Sequence, residues 1–74
     1  MAKNDVHTLP WRDGWANKRE SATRVHETYP TQRAAIREGR EMAKRTKSEH
    51  FIHRRDGMIR ARNTYGHDPR ASRG

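Results

Sequence analysis

Cysteine is absent from this chain, and so is any long apolar run. Without cysteine there are no disulfides and no thiolate metal ligands, and a reducing compartment is compatible with the sequence. No stretch approaches the roughly 20 apolar residues of a membrane span. The opening MAKNDVHTLPWRDG has no apolar core of the kind a secretory signal carries. These absences predict a soluble, cytoplasmic protein with no membrane partner. Hydrophobic residues are scarce as well, 30% of 74. So short a chain forms one domain at most, and its core is expected to be thin. Small domains often draw extra stability from a disulfide, a metal or a second subunit. With disulfides excluded, a homodimer is the natural supplement.

Positive charge is what the chain has in excess. Lys and Arg number 17 against 9 Asp and Glu, a net charge of +8, and the sequence pI is about 11.1. That surplus favours a polyanionic partner, either nucleic acid (DNA or RNA) or an acidic protein surface.

Arg-Asp-Gly occurs twice, at Arg12-Asp13-Gly14 and at Arg55-Asp56-Gly57, each time between runs of strand-type residues. Asp-Gly in that setting signals a tight hairpin turn, because Asp tolerates positive φ and Gly has no Cβ to clash. The tripeptide therefore predicts two turns, Asp13-Gly14 and Asp56-Gly57, rather than a duplicated active site. Between them lies YPTQRAAIREGREMAKRTKSE. Thr31 is the expected N-cap. Ala35, Ile36, Gly39, Met42, Ala43 and Thr46 recur at helical spacing and define one narrow face. Gly39 suits close approach to a sheet, and the helix is expected to stop near Lys47 or Ser48. Val25 belongs either to a short third strand or to a loop. The expectation is a two-layer α+β domain over residues 5–65, of order ββ(β)αββ, with a small antiparallel sheet and one helix on one face. Residues 1–4 are expected to be flexible, and 66–74 to form a basic, mostly disordered tail.

With a two-residue turn at Asp56-Gly57, Ile52, Ile59 and Ala61 share the face toward the helix. Phe51, His53, Arg55, Met58, Arg60 and Arg62 take the other, a basic face with an aromatic in it. In the first hairpin, Val6, Thr8, Pro10, Arg12, Trp15, Asn17 and Arg19 fall on one side. His7, Leu9, Trp11, Ala16, Lys18 and Glu20 fall on the opposite one. On the helix, Arg33, Arg37, Arg40, Lys44 and Lys47 line up as one basic stripe.

Several groups of residues, taken in order, resemble a family of short bacterial and phage domains of unknown function. Gly14, Trp15, Lys18, Arg19 and Glu20 come first, then Thr31, Gln32, Ala35 and Ile36 opening the helix. Ile52, His53, Asp56, Gly57 and Ile59 follow, and Tyr65, Gly66, Asp68 and Pro69 close the pattern, so the resemblance covers about residues 5 to 69. It implies a stand-alone domain with no assigned activity, and the Trp15 side as the core face of the first hairpin. Asn17 stands where the pattern usually has an apolar residue, and if buried it needs hydrogen-bond partners.

Catalysis is not expected. His50 and His53 sit on opposite faces of a strand, and His7, His26 and His67 are scattered over other segments. No known ligand spacing, glycine-rich phosphate loop or nucleophile elbow is present, so neither a metal nor a cofactor is expected. Two binding functions remain. Phosphates of a nucleic acid would be held on the open sheet face by Arg55, Arg60 and Arg62 with His53 and Phe51 between them. Lys18 and Arg19 extend that surface, and Arg70 and Arg73 add to it. The competing footprint is the helix stripe Arg33, Arg37, Arg40 and Lys44. Alternatively, Phe51, Met58 and Trp11 form the centre of a protein interface, in a homodimer, adaptor or inhibitor.

Overall fold

The computed structural model describes residues 3–66. They form β1 (Val6–Trp11), β2 (Gly14–Arg19), β3 (Glu27–Tyr29), α1 (Gln32–Arg45), β4 (Glu49–His53) and β5 (Ile59–Thr64). The architecture is α+β, with one helix on a five-stranded sheet of order β3-β2-β1-β4-β5. The segment around Glu27–Tyr29 thus supplies the fifth strand. The expectation of an antiparallel sheet needs correction. The two hairpins meet through β1 and β4, which run parallel, Val6 beside His50 and Thr8 beside Ile52. The chain reaches β4 through β2, β3 and α1, and such a crossover is what a parallel pairing requires.

The first turn is displaced by one residue, and the second holds Asp56 and Gly57 as expected but is larger. In the first hairpin Trp11 pairs with Gly14, so Arg12 and Asp13 make the turn and Gly14 opens β2. Arg12 takes φ of 53°. Gly14 is needed for another reason, since a Cβ there would run into the Tyr29 carbonyl of β3. The second loop is one residue longer than expected. Arg54 and Met58 close it through a 2.6 Å backbone bond, and Gly57 N–H bonds to Arg54 C=O. With Gly57 at φ +93°, this is a three-residue loop whose last position is left-handed. Asp56 fixes it, accepting from Met58 N–H and from Arg54 Nη2.

A bulge follows. Ile52 pairs with Ala61 but His53 pairs with Ile59, leaving Arg60 as the extra residue. The bulge exchanges two predicted faces. Ile59, expected against the helix, is 47% exposed, and it lies on the open side opposite His53. Arg60, expected on the open side, turns toward α1 and donates to Gln32 Oε1.

Helix α1 begins as its sequence dictates: Thr31 accepts from Ala34 N–H at 3.1 Å. Its buried residues are Ala35, Gly39, Met42 and Ala43, a spacing of one helical face. It ends earlier than expected, at Arg45 with Thr46 as C-cap. Lys47 N–H bonds to Lys44 C=O and Ser48 N–H to Ala43 C=O, the two bonds of a Schellman motif. Lys47 occupies its left-handed position, with φ of 51°, where glycine is usual. Lys47→Gly should therefore raise stability by on the order of 1 kcal/mol. A denaturant titration checks this, and an unchanged or lower midpoint contradicts it.

The interior is partly polar. Val6, Met42 and Ala43 form an apolar cluster with Tyr65 against it. Beside it, Thr8, Asn17 and His50 are each fully buried. Asn17, flagged in sequence as needing partners, has them. Thr8 Oγ1 donates to its Oδ1, and its Nδ2 donates to Ala35 C=O at 2.8 Å.

Candidate functional site

Cations gather beside the helix rather than on the open sheet face. Arg33, Arg37 and Arg40 stand at i, i+4 and i+7 on α1, and Arg60 joins them from the β5 bulge. With Gln32 and Ile36 they line a groove of about 430 Å³ in which, among the described residues, no carboxylate takes part. All four arginines are exposed. Gln32 locks the two walls together. Its Nε2 donates to His53 C=O at 2.9 Å, while its Oε1 accepts from Arg60 Nη1 at 3.0 Å. Like charges around one concavity repel in the free protein, so the groove is poised for anions. Lys44, at the far end of the stripe, is 3.8 Å from Glu41, and its charge is partly answered there.

The open face is different. Lys18 and Arg62 are its cations, and Glu20 and Glu49 stand among them. Arg62 Nε lies 3.6 Å from Glu49 Oε1, and Glu20 pairs with His7. Phe51 lies on this face but is only 4% exposed, because the His7 ring stacks on it at 5.0 Å. Buried in this way it offers neither a stacking platform for bases nor the centre of an interface. Arg55, expected within the basic sheet face, and Arg19, expected to extend it, are elsewhere. Arg19 points to the helix side and donates to Asn4 C=O and Thr46 Oγ1. Arg55 lies over the Trp15 ring at 4.7 Å and donates to Gly14 C=O. Asp13, Asp56 and Gly57 serve their loops, and Gly14 serves the β2–β3 approach. Arg70 and Arg73 lie outside the described residues.

One grouping escaped the sequence altogether. The parallel pairing of β1 with β4 sets His7 Nδ1 2.9 Å from His53 Nε2. His7 Nε2 faces Glu20, and His53 Nδ1 faces Gly57 C=O at 2.9 Å. Neither the carboxylate nor the carbonyl has a hydrogen to give. The three bonds are complete only when the two rings together carry three N–H hydrogens. No spacing in the chain foretells this, since the partners are 46 residues apart. Among the described residues no group of three His, Asp or Glu side chains is arranged to hold a metal ion.

A third surface lies at the turn end of the first hairpin. Trp11, Trp15, Tyr29 and Pro30 wall a groove of about 440 Å³, with Arg12 and Asp13 at its rim. Trp11 is 37% exposed and Trp15 7%. Burial holds the Tyr29 hydroxyl above the ordinary phenol range, and its hydrogen bond to Asn17 opposes that shift.

The chain matches a family model over residues 6–65, that of an uncharacterized protein conserved in bacteria (DUF2188). No curated protein and no solved structure matches it. With 6–65 spanning most of the 74 residues, the chain belongs to this bacterial family.

Proposed function

We propose that this family member is a small, non-enzymatic module that binds nucleic acid through the phosphate backbone, using the groove between α1 and β5. The observation that carries this is the meeting of Arg33, Arg37, Arg40 and Arg60 around one concavity with no acidic residue in its lining among the described residues. Guanidinium groups are planar forks matched to phosphate oxygens, and neutralising phosphates releases counterions. The balanced charges of the open sheet face argue for the helix stripe over the sheet as the footprint. Among the described residues no aromatic side chain lines the arginine groove. Single-strand grooves usually interleave rings with cations, so a duplex backbone suits this one better. No helix of the described residues is long and apolar enough to cross a membrane.

Fluorescence anisotropy with a labelled duplex tests the proposal. Three or four phosphate contacts predict a log–log salt slope of about −3 to −4. Arg37→Ala should shrink that slope by about one unit and weaken binding for every sequence alike. Lys18→Ala with Arg62→Ala should change little. Failure to bind any polynucleotide at low salt, or a larger loss from the sheet-face pair, removes the proposal.

A second function has one feature in its favour. Strand β5 is an edge of the sheet, and its first residue Ile59 and the adjoining Met58 are 47% and 62% exposed. An open edge flanked by apolar side chains favours pairing with another copy of the chain. Sedimentation at moderate salt separates the two. A dimer that persists while duplex binding is absent selects self-association.

A further inference from the structure

The walls of the aromatic groove and of the arginine groove come within one residue of each other along the chain. Pro30 lines the first and Gln32 the second, with Thr31 between them. Cations also attend the aromatic groove. The Arg12 guanidinium is 5.9 Å from the Trp11 ring centre, and that of Arg55 is 4.7 Å from Trp15. The two rings differ in availability. Trp15 is 7% exposed and capped by Arg55, whereas Trp11 is 37% exposed. The backbone here is shaped to present them. Arg12 sits at positive φ in the turn, and Gly14 admits the Tyr29 carbonyl so closely that a Cβ could not be accommodated. A purely apolar peptide would gain nothing from the two guanidinium groups. An aromatic ring carrying phosphate on one side would use the rings and the cations together.

We infer that the Trp11 groove receives an unpaired nucleobase adjoining the duplex segment held by the arginines, so that the protein prefers a junction between paired and unpaired strands. This inference rests on the arginine-groove proposal. It adds a stacking contact at Trp11, phosphate contacts at Arg12 and Arg55, and a hydrogen-bond acceptor at Asp13 for an exocyclic amine.

The experiment compares two labelled duplexes of one sequence, blunt or extended by a few single-stranded nucleotides, in anisotropy titrations at low salt. The extended duplex should bind about tenfold tighter, the worth of one stacked base. Trp11→Ala should abolish the difference between the two, and Trp11→Phe should keep most of it. In the wild-type protein, the extended duplex should quench tryptophan emission more than the blunt one, a readout that needs no variant. Equal affinity and equal quenching overturn the inference while leaving the arginine groove standing. So does a preference that survives Trp11→Ala. If neither duplex binds, both proposals fall together.

Discussion

Replacing Gly39 with alanine should destabilise the protein by about 3 kcal/mol, although the same change in an exposed helix gains about 1 kcal/mol. The reason is what lies beneath the helix. A Cβ at position 39 would stand 2.7 Å from His50 Nε2, 2.8 Å from Asn17 Oδ1 and 2.9 Å from Thr8 Oγ1. Real Cβ atoms essentially never come so near. None of the three neighbours is a loose chain end. Thr8 is held between Asn17 and His50, and Asn17 is tied to the Ala35 carbonyl of the helix itself. Room for a methyl therefore requires lifting α1 from the sheet or breaking buried hydrogen bonds. An unsatisfied buried polar group costs on the order of 1–3 kcal/mol. For a domain of this size the thermal midpoint should fall by roughly 10–20 °C. A Gly39→Ala protein melting at or above the wild-type temperature would show that the interior yields where this packing says it cannot.

That polar interior also marks the limit of what the sequence reveals. Thr8, Asn17 and His50 are residue types that usually sit outside, and only Asn17 stood out in the sequence. Gly39 was legible as a point of close approach, but not as a lid over three polar groups. Local features were legible where local physics decides them. Thr31 caps α1, its buried face follows the 3.6-residue period, and two hairpins flank it. Even the misplaced first turn did little harm. Moving it from Asp13-Gly14 to Arg12-Asp13 shifts each partner by two residues, and a shift of two keeps every side chain on its face. The second hairpin had no such protection. One extra loop residue and one bulge near Arg60 exchanged the faces of Ile59 and Arg60. That exchange moved the candidate interface from sheet to helix, since it carried Arg60 across to Arg33, Arg37 and Arg40. The stripe itself was readable from helical spacing. Its fourth wall was not, because bulges are set by how a strand twists against its partner rather than by composition. The parallel β1–β4 pairing, with the His7–His53 contact it creates, depends on strand order, which no local pattern encodes.

His50 supplies the second large effect, a loss of stability in mild acid. Its ring is fully buried. Thr8 gives its hydroxyl hydrogen to Asn17 Oδ1, so the 2.7 Å contact between Thr8 Oγ1 and His50 Nε2 needs the hydrogen on the histidine. The other ring nitrogen, Nδ1, is buried without a hydrogen-bond partner among the described residues. A second proton would have to go there, with nothing to receive it. Burial, reinforced by the nearby charge of Arg40 and by His7, lowers the His50 pKa from 6.5 to about 4. The folded value lies below the unfolded one, so the unfolded chain takes up the proton first as pH falls. The contribution is therefore fully present above pH 6.5 and drains away between there and about pH 4. Over that window it amounts to on the order of 3 kcal/mol. His50→Gln keeps a donor for Thr8 and does not titrate. Urea midpoints measured between pH 7 and 4 should fall steeply for the wild type and much less for His50→Gln. Parallel curves for the two proteins would mean that the acid sensitivity, if any, belongs to other groups. They would also mean that the buried imidazole finds an outlet for its second proton.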